Sequence, residues 1–435
     1  MVVRQAIRWG LRHGLIRRAV ARRVQAGDPT APLMVDPAVI ADPFAHYDGL
    51  RERGRLVDNG IVLNTAHHDV ATAVLRSPDM GVVAGPSGRA PAALRAAERA
   101  GGRGPLGPVT PPSMLAVDAP DHTRYRKLVT RAFSARAVAA LRSRTEEVAA
   151  GLLDDMARGP AADLIDDYAA LLPATVIAEM LGAPLEMRSQ FLEWGAGGAL
   201  SLDAGLSWSE FRRSESDLNA LAGWMRGHFA HIRRNPGDDI LSTLVHAHSE
   251  EGRLTEDELT SIAMLLLAAG FETTVNLIGN GAALLTAHPE QLARLRADAA
   301  LWPRAVDEVL RFDSPVQRTG RIVLRDTTVA GETLRRGQIV VIMLGGANRD
   351  PAVFADPNRF DVGRAEAGEH VAFSSGVHYC LGAGLARMEG EVGLRALFDR
   401  FPDLAPAGQP HRRPTRVLRG FDAMPVRLTP ATVDA

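Results

Sequence analysis

A chain of 435 residues exceeds the usual size of one compact core, so two lobes or one enlarged domain are expected. Fifty basic against 51 acidic residues leave a formal charge of −1, which argues against a general nucleic-acid binder, and 46% hydrophobic content supports a large core. The single cysteine, Cys380, excludes an intramolecular disulfide and any cysteine-rich zinc or cluster site.

Lys127 is the only lysine, so arginine supplies the rest of the positive charge. No bilayer-spanning apolar run of about 18 residues and no secretory h-region are expected, and one reduced thiol fits a cytoplasmic protein.

Residues 1–27 hold seven arginines and no acid before Asp28. At helical spacing, Val2, Val3, Ala6, Ile7, Trp9, Leu11, Ile16 and Val20 share one arc and most arginines another. A membrane-surface helix and an organelle presequence both have this composition. Packing of the apolar side on the protein's own body is the favoured reading, with 28–435 as a single domain. Residues 55–63 then predict a hairpin around Asn59-Gly60. The Gly-, Pro- and Ala-rich stretch 81–118 predicts a long irregular loop, either a linker or a ligand lid.

Helices are predicted over 122–157, 163–182, 209–234 and 290–312, and β-rich runs from 322 to 343. The fold class is therefore mainly α with a small β lobe. On the first of these helices His122 and Arg126 share a face at i,i+4. Arg124, Lys127 and Arg131 follow one another at i, i+3 and i+7. This set reads equally as a solvated face or a basic docking patch.

The most apolar helix is predicted from the capping box Thr255-Glu-Asp-Glu258 to about residue 287, roughly 48 Å at 1.5 Å per residue. Midway, Ala269-Gly270-Phe271-Glu272-Thr273-Thr274 inserts polar groups that need partners. Thr273 can bond back to the Ala269 carbonyl and loosen the helix enough to hold water. Glu308 and Arg311 sit at i,i+3, which alone indicates an ordinary surface pair worth about 0–1 kcal/mol.

Near the end comes Phe373-Ser-Ser-Gly376-Val-His378-Tyr-Cys380-Leu-Gly382. A lone cysteine can be a nucleophile, fill a core gap or give one thiolate to a metal. Its neighbours favour the last. With 13 Phe, 13 His and 41 Gly in the chain, the other four fixed positions match by chance at about 10⁻⁵. Gly376 permits a tight turn and Gly382 a close approach of the following helix. The helix N-terminus beyond Cys380 stabilises a thiolate.

The pattern F-x-x-G-x-H-x-C-x-G resembles the haem-thiolate loop of cytochromes P450, of the soluble bacterial type. The resemblance extends in family order from about residue 40 to 430 and implies the cytochrome P450 fold, with haem b (iron protoporphyrin IX) between the long central helix and the Cys380 loop. It implies that Cys380 is the iron ligand and that Phe373, Gly376, His378, Gly382 and Ala269 surround the haem. His122, Arg126, Arg321 and His378 would clamp its propionates.

By the same resemblance Thr273 would bond the oxygen being activated, and Glu272 would relay protons. Glu308, Arg311 and Arg359 would form a buried structural network. Gly270, Val316, Gln317 and Phe421 would line the substrate pocket, although Val316 and Phe421 suit the core equally well. The loop 81–118 becomes a mobile pocket wall. The implied activity is insertion of one oxygen atom from O2 into a small hydrophobic substrate, by a monomer served by a separate ferredoxin and ferredoxin reductase. Two rivals are a peroxide-using haem-thiolate enzyme and a haem-based sensor. The Glu272-Thr273 pair argues against both.

Overall fold

The computed structural model describes residues 2–83, 92–246 and 254–428. Helices α1 (Val2–Trp9), α2 (Leu15–Gln25), α3 (Ala92–Gly101), α4 (Asp121–Thr130), α5 (Ala135–Met156) and α6 (Leu171–Met180) form the first half. They are followed by α7 (Arg188–Leu200), α8 (Trp208–Ile232), α9 (Glu256–Ala287), α10 (Trp302–Phe312) and α11 (Ala383–Arg400). Strands β1 (Val57–Asp58), β2 (Leu63–Thr65), β3 (Met80–Val82), β4 (Arg318–Val323) and β5 (Ile339–Met343) make one sheet in the order β1-β2-β5-β4-β3. Only β2 and β5 pair in parallel. The mainly helical class with a small β lobe is thus borne out.

Helix α9 is the axis of the molecule. Its capping box closes in both directions, with Thr255 Oγ1 accepting from the Glu258 N–H and Glu258 accepting from the Thr255 N–H. Ile262, Leu267, Phe271, Ile278 and Leu285 are buried in the main core, where α6, α7, α8 and α11 pack around it. By length and composition α9 could cross a membrane, contrary to the expectation from sequence. It is instead the buried core helix, as surrounding helices cover its apolar faces.

Three predicted helices are interrupted for local reasons. Over 122–157 the chain leaves α4 through a 3₁₀ turn, Arg131–Phe133, and Ser134 caps α5 by accepting from the Ala137 N–H. Over 163–182 a short strand, Ala161–Asp163, and a π turn, Ile165–Ala169, precede α6, because Asp163 accepts from the N–H groups of Ile165 and Met424. Over 290–312 the break falls at Asp298, whose carboxylate caps Ala300.

The N-terminal segment lies on the body of the protein. A π turn, Gly10–Gly14, joins α1 and α2. Trp9 meets Trp208 edge-on at 5.9 Å and donates its indole N–H to the Leu206 carbonyl. His13 is buried and accepts from the Leu206 N–H. The 55–63 hairpin forms with Val57 opposite Asn64. The 81–118 stretch contains β3 and α3 as well as loop, and its residues 84–91 lie outside the described residues.

Candidate active site

The Cys380 loop is held in place by its backbone. The Cys380 N–H donates to the Phe373 carbonyl at 2.9 Å, and Gly376 adopts φ +70°. A Cβ at Gly376 would lie 2.5 Å from the Leu75 carbonyl oxygen, so only glycine lets the loop lie on that backbone. Phe373 is buried beneath the Arg387 guanidinium, 4.7 Å from its ring centre, and Arg387 is anchored by Asp307 at 2.7 Å. The Cys380 side chain is open to a water-sized probe, yet protein encloses it on most sides. Burial pushes the thiol up, opposed by the Gly382 N–H and the Arg126 and Arg387 charges. A Cβ at Gly382 would meet no protein atom within 4 Å, leaving that side of the loop free for a flat ligand.

Helix α4, strand β4 and the Cys380 loop bring four nitrogen-bearing side chains to the same place: His122 and Arg126, Arg321, and His378. The His122 and His378 rings lie 4.1 Å apart. Burial, His122, Arg321 and Arg126 push His378 down to about 3, so it is neutral near pH 7, and its buried Nε2 has no hydrogen-bond partner. Asp118 approaches it at 3.5 Å without forming an ion pair, since the ring is uncharged. Arg321 is buried, bonded only to Thr319 Oγ1 and the Gly320 carbonyl, with no carboxylate partner among the described residues. A buried guanidinium without an anion is costly. The cluster therefore suits an anionic ligand such as a pair of carboxylates.

The middle of α9 carries the other expected group of site residues. Ala269 is exposed there within an otherwise buried stretch, and Thr273 Oγ1 donates to the Ala269 carbonyl at 3.1 Å. Glu272 is buried and its Oε2 is gripped by Arg413 Nη1 at 2.5 Å. Arg413 also reaches the exposed Asp422 at 3.2 Å. Gly270 lies where α9 crosses α6, since a Cβ there would sit 2.8 Å from Ile177 Cγ1. At the start of α9, Glu258 accepts from Arg124 and, at 2.7 Å, from the Tyr125 hydroxyl. Burial pushes Glu258 up, but the Thr255 N–H, Arg124 and Tyr125 outweigh it and hold the carboxyl at about 2.

Several expected roles change. The Glu308–Arg311 pair is fully buried and bidentate at 2.7 and 2.8 Å. Its third side chain is Arg364, 3.3 Å from Glu308, rather than Arg359. Arg359 is exposed and contributes only its carbonyl, to Arg311 and Arg364. Gln317 does not face a pocket: it accepts from the Tyr47 hydroxyl and donates to the Ser314 carbonyl, which uses both ends of its amide. Phe421 is a core residue, buried under the Arg412 guanidinium at 3.9 Å. Val316 is half-buried and packs on the sheet. Arg124 is not a free docking cation, because Glu258 and Asp121 hold it, whereas Lys127 and Arg131 are exposed.

Three residues escaped the sequence reading. Arg364 could have been suspected as a second arginine five positions after Arg359. Arg413 had no local signal, being 141 residues from its partner Glu272. Glu389 on α11 is buried beside Thr274 with neither carboxylate oxygen hydrogen-bonded, and burial pushes it well above the usual range.

Comparison with known proteins agrees with this geometry. The family model described as Cytochrome P450 matches residues 211–420. A protein of Mycobacterium tuberculosis described as cytochrome P450 140 is 48% identical over 433 residues, 99% of each chain. The 6-deoxyerythronolide B hydroxylase of Saccharopolyspora erythraea is 42% identical over 320 residues, 73% of this chain and 78% of its own. Among solved structures, P450BioI in complex with hexadec-9Z-enoic acid ligated acyl carrier protein superposes with a TM-score of 0.81 at 31% identity, covering 90% of this chain and all of that one.

Proposed function

Because the chain belongs to the cytochrome P450 family of haem-iron monooxygenases, we propose that it binds haem b and inserts one oxygen atom of O2 into a small hydrophobic substrate, with electrons from a separate ferredoxin and ferredoxin reductase. The observation that carries this reading is the convergence of one cysteine with a buried, anion-demanding cluster. Cys380 would hold the iron, and Arg321, Arg126, His122 and His378 would hold the propionates. A thiolate-ligated haem iron supplies electron density that favours O–O cleavage.

The chain's own residues then position groups and move protons. The Gly382 N–H donates to the Cys380 sulfur and favours its thiolate form. Thr273 Oγ1, turned back to the Ala269 carbonyl, presents its lone pairs on the open side of α9. The Glu272 oxygen not held by Arg413 would pass a proton toward Thr273, and Arg413, which also pairs with the exposed Asp422, would link that carboxylate to the surface. Ala269, exposed on α9, remains as a pocket residue, and its side chain is apolar. The hydroxylase name and the acyl-carrier complex among the relatives support a carbon-rich substrate.

The test has two steps. The dithionite-reduced protein should give the red-shifted carbon monoxide band of a thiolate ligand, and Cys380→Ser should lose it; absence of the band in the parent sinks the haem-thiolate reading. NADPH-driven product formation with a surrogate ferredoxin and reductase then separates a monooxygenase from a sensor. Product formed only with added peroxide would favour the peroxide-using alternative.

A further inference from the structure

We infer that Arg8, on the N-terminal helix, is a positioning residue that staples together two walls of the substrate access path and so sets the size of ligand admitted; this rests on the monooxygenase reading above. Three segments far apart in sequence meet at its guanidinium. Nε donates to Oε1 and Nη2 to Oε2 of Glu215 on α8, both at 2.8 Å. Nη1 donates at 2.8 Å to the carbonyl of Gly101, the last residue of α3.

Each contact answers a physical demand. The end of a helix leaves carbonyls without partners and carries partial negative charge, so a guanidinium there both bonds and neutralises. Glu215 is buried, and among the described residues its carboxylate has only Arg8 and Gln5 as hydrogen-bond donors, the latter at 3.1 Å. A buried carboxylate that loses its cation is strongly destabilised, so removing Arg8 frees the elements rather than leaving them in place. Glycine makes the approach close: a Cβ at Gly101 would lie 3.1 Å from Arg8 Cγ.

The stapled elements lead directly to the site. From Gly101 the chain runs past Gly107, packed on Leu218 of α8, to Asp118, which bonds the Val82 N–H and faces His378. Helix α7 packs over the middle of α9, where Gly195 faces Phe271, and lies along α8, whose C-terminal part pairs with the start of α9 through Arg226–Asp257 and Arg233–Glu256. Arg8 thus ties the outer ends of two surfaces, one running through Asp118 to His378 and the other through α7 to Phe271, two residues beyond Ala269. The indole bond of Trp9 to Leu206 and the His13 bond to the same residue hold the N-terminal segment against the chain just before α8, beside the staple.

The test uses the haem-loaded full chain and Arg8→Ala. Hydrogen exchange reads helix docking, and stopped-flow binding of imidazole and of a bulky triphenylmethyl-imidazole reads the aperture. Amide exchange in α1 and α2 should accelerate, and the bulky azole should bind and leave about tenfold faster, whereas imidazole rates stay within about twofold. Freed helices with unchanged bulky-azole rates overturn the inference, as does an equal change for both ligands. If Arg8→Ala does not fold, Trp9→Phe removes only the indole bond and should show the same size-selective change at about threefold; unchanged rates there also overturn it. Failure of the underlying enzyme reading appears separately, as a missing thiolate carbon monoxide band in the parent protein.

Discussion

Arg364 and Arg359 stand five positions apart in one loop, yet they answer to different physics. Arg364 is buried on Glu308 and also bonds the carbonyls of Asp356 and Arg359, whereas the Arg359 side chain is exposed. Removing one partner from a buried charge network costs about 3–5 kcal/mol, while a surface substitution stays within about 0.5 kcal/mol. Arg364→Leu should therefore lower denaturant stability by several kcal/mol, and Arg359→Ala should leave the midpoint nearly unchanged. Equal losses in the two variants would contradict this assignment. At the same scale, Arg413→Gln should leave the carbon monoxide band intact but lower product formed per NADPH by about tenfold, less than the loss of a proton-transfer group itself. Peroxide release measured alongside NADPH consumption checks it.

Among single residues, legibility followed sequence distance. Thr273 was readable because its partner Ala269 is one helical turn away, and the Glu308–Arg311 pair because i,i+3 spacing fixes a shared face. Gln317 misled, since an amide beside a pocket and an amide bonding a buried tyrosine have the same sequence signature. Arg413 could not be seen, because nothing local records a pairing across 141 residues.

At the level of elements, the N-terminal helix is where packing and titration meet. His13 Nδ1 accepts a backbone N–H, which requires the neutral ring. Burial, reinforced by Arg12 and Arg416 and opposed by Glu210 and Glu215, holds its pKa down to about 4. The folded value lies below the unfolded value of about 6.5, so the stabilisation is full above pH 6.5 and is lost as pH falls from there toward 4. Protection of α1 and α2 amides, corrected for intrinsic exchange, should decline across that window. His13→Gln, which keeps an acceptor but does not titrate, should flatten the profile. A decline of the same size in that variant would assign the effect to other groups.

Helix existence was readable from period, as α8 and α9 show with ends within two residues of expectation. Helix interruption was not. The breaks at Ser134, Asp163 and Asp298 are made by short polar side chains that bond nearby backbone N–H groups, and such residues also occur on the solvent face of unbroken helices.

For the whole molecule, overall neutrality conceals where charge is available. Arg124 is spent on Glu258, which leaves Lys127 and Arg131 as the exposed cations of the expected docking face. If an acidic ferredoxin approaches there, Lys127→Glu should slow reduction by about three- to tenfold at low ionic strength and lose most of that effect in high salt. Reduction rates measured by carbon monoxide trapping at two salt concentrations decide it, and unchanged rates in both would move docking elsewhere.

The carboxylate of Glu258 closes the capping box of α9 and holds Arg124 and Tyr125 of α4. One of these helices carries Thr273; the other carries His122 and Arg126. Fifteen residues of straight helix, about 22 Å, separate Glu258 from Thr273. The groups proposed to meet the haem from α9 and from α4 are thus indexed from a common origin at the far end of the helix. A substitution at Glu258 would act as an error of alignment rather than of chemistry, displacing both groups from their marks while leaving each of them intact.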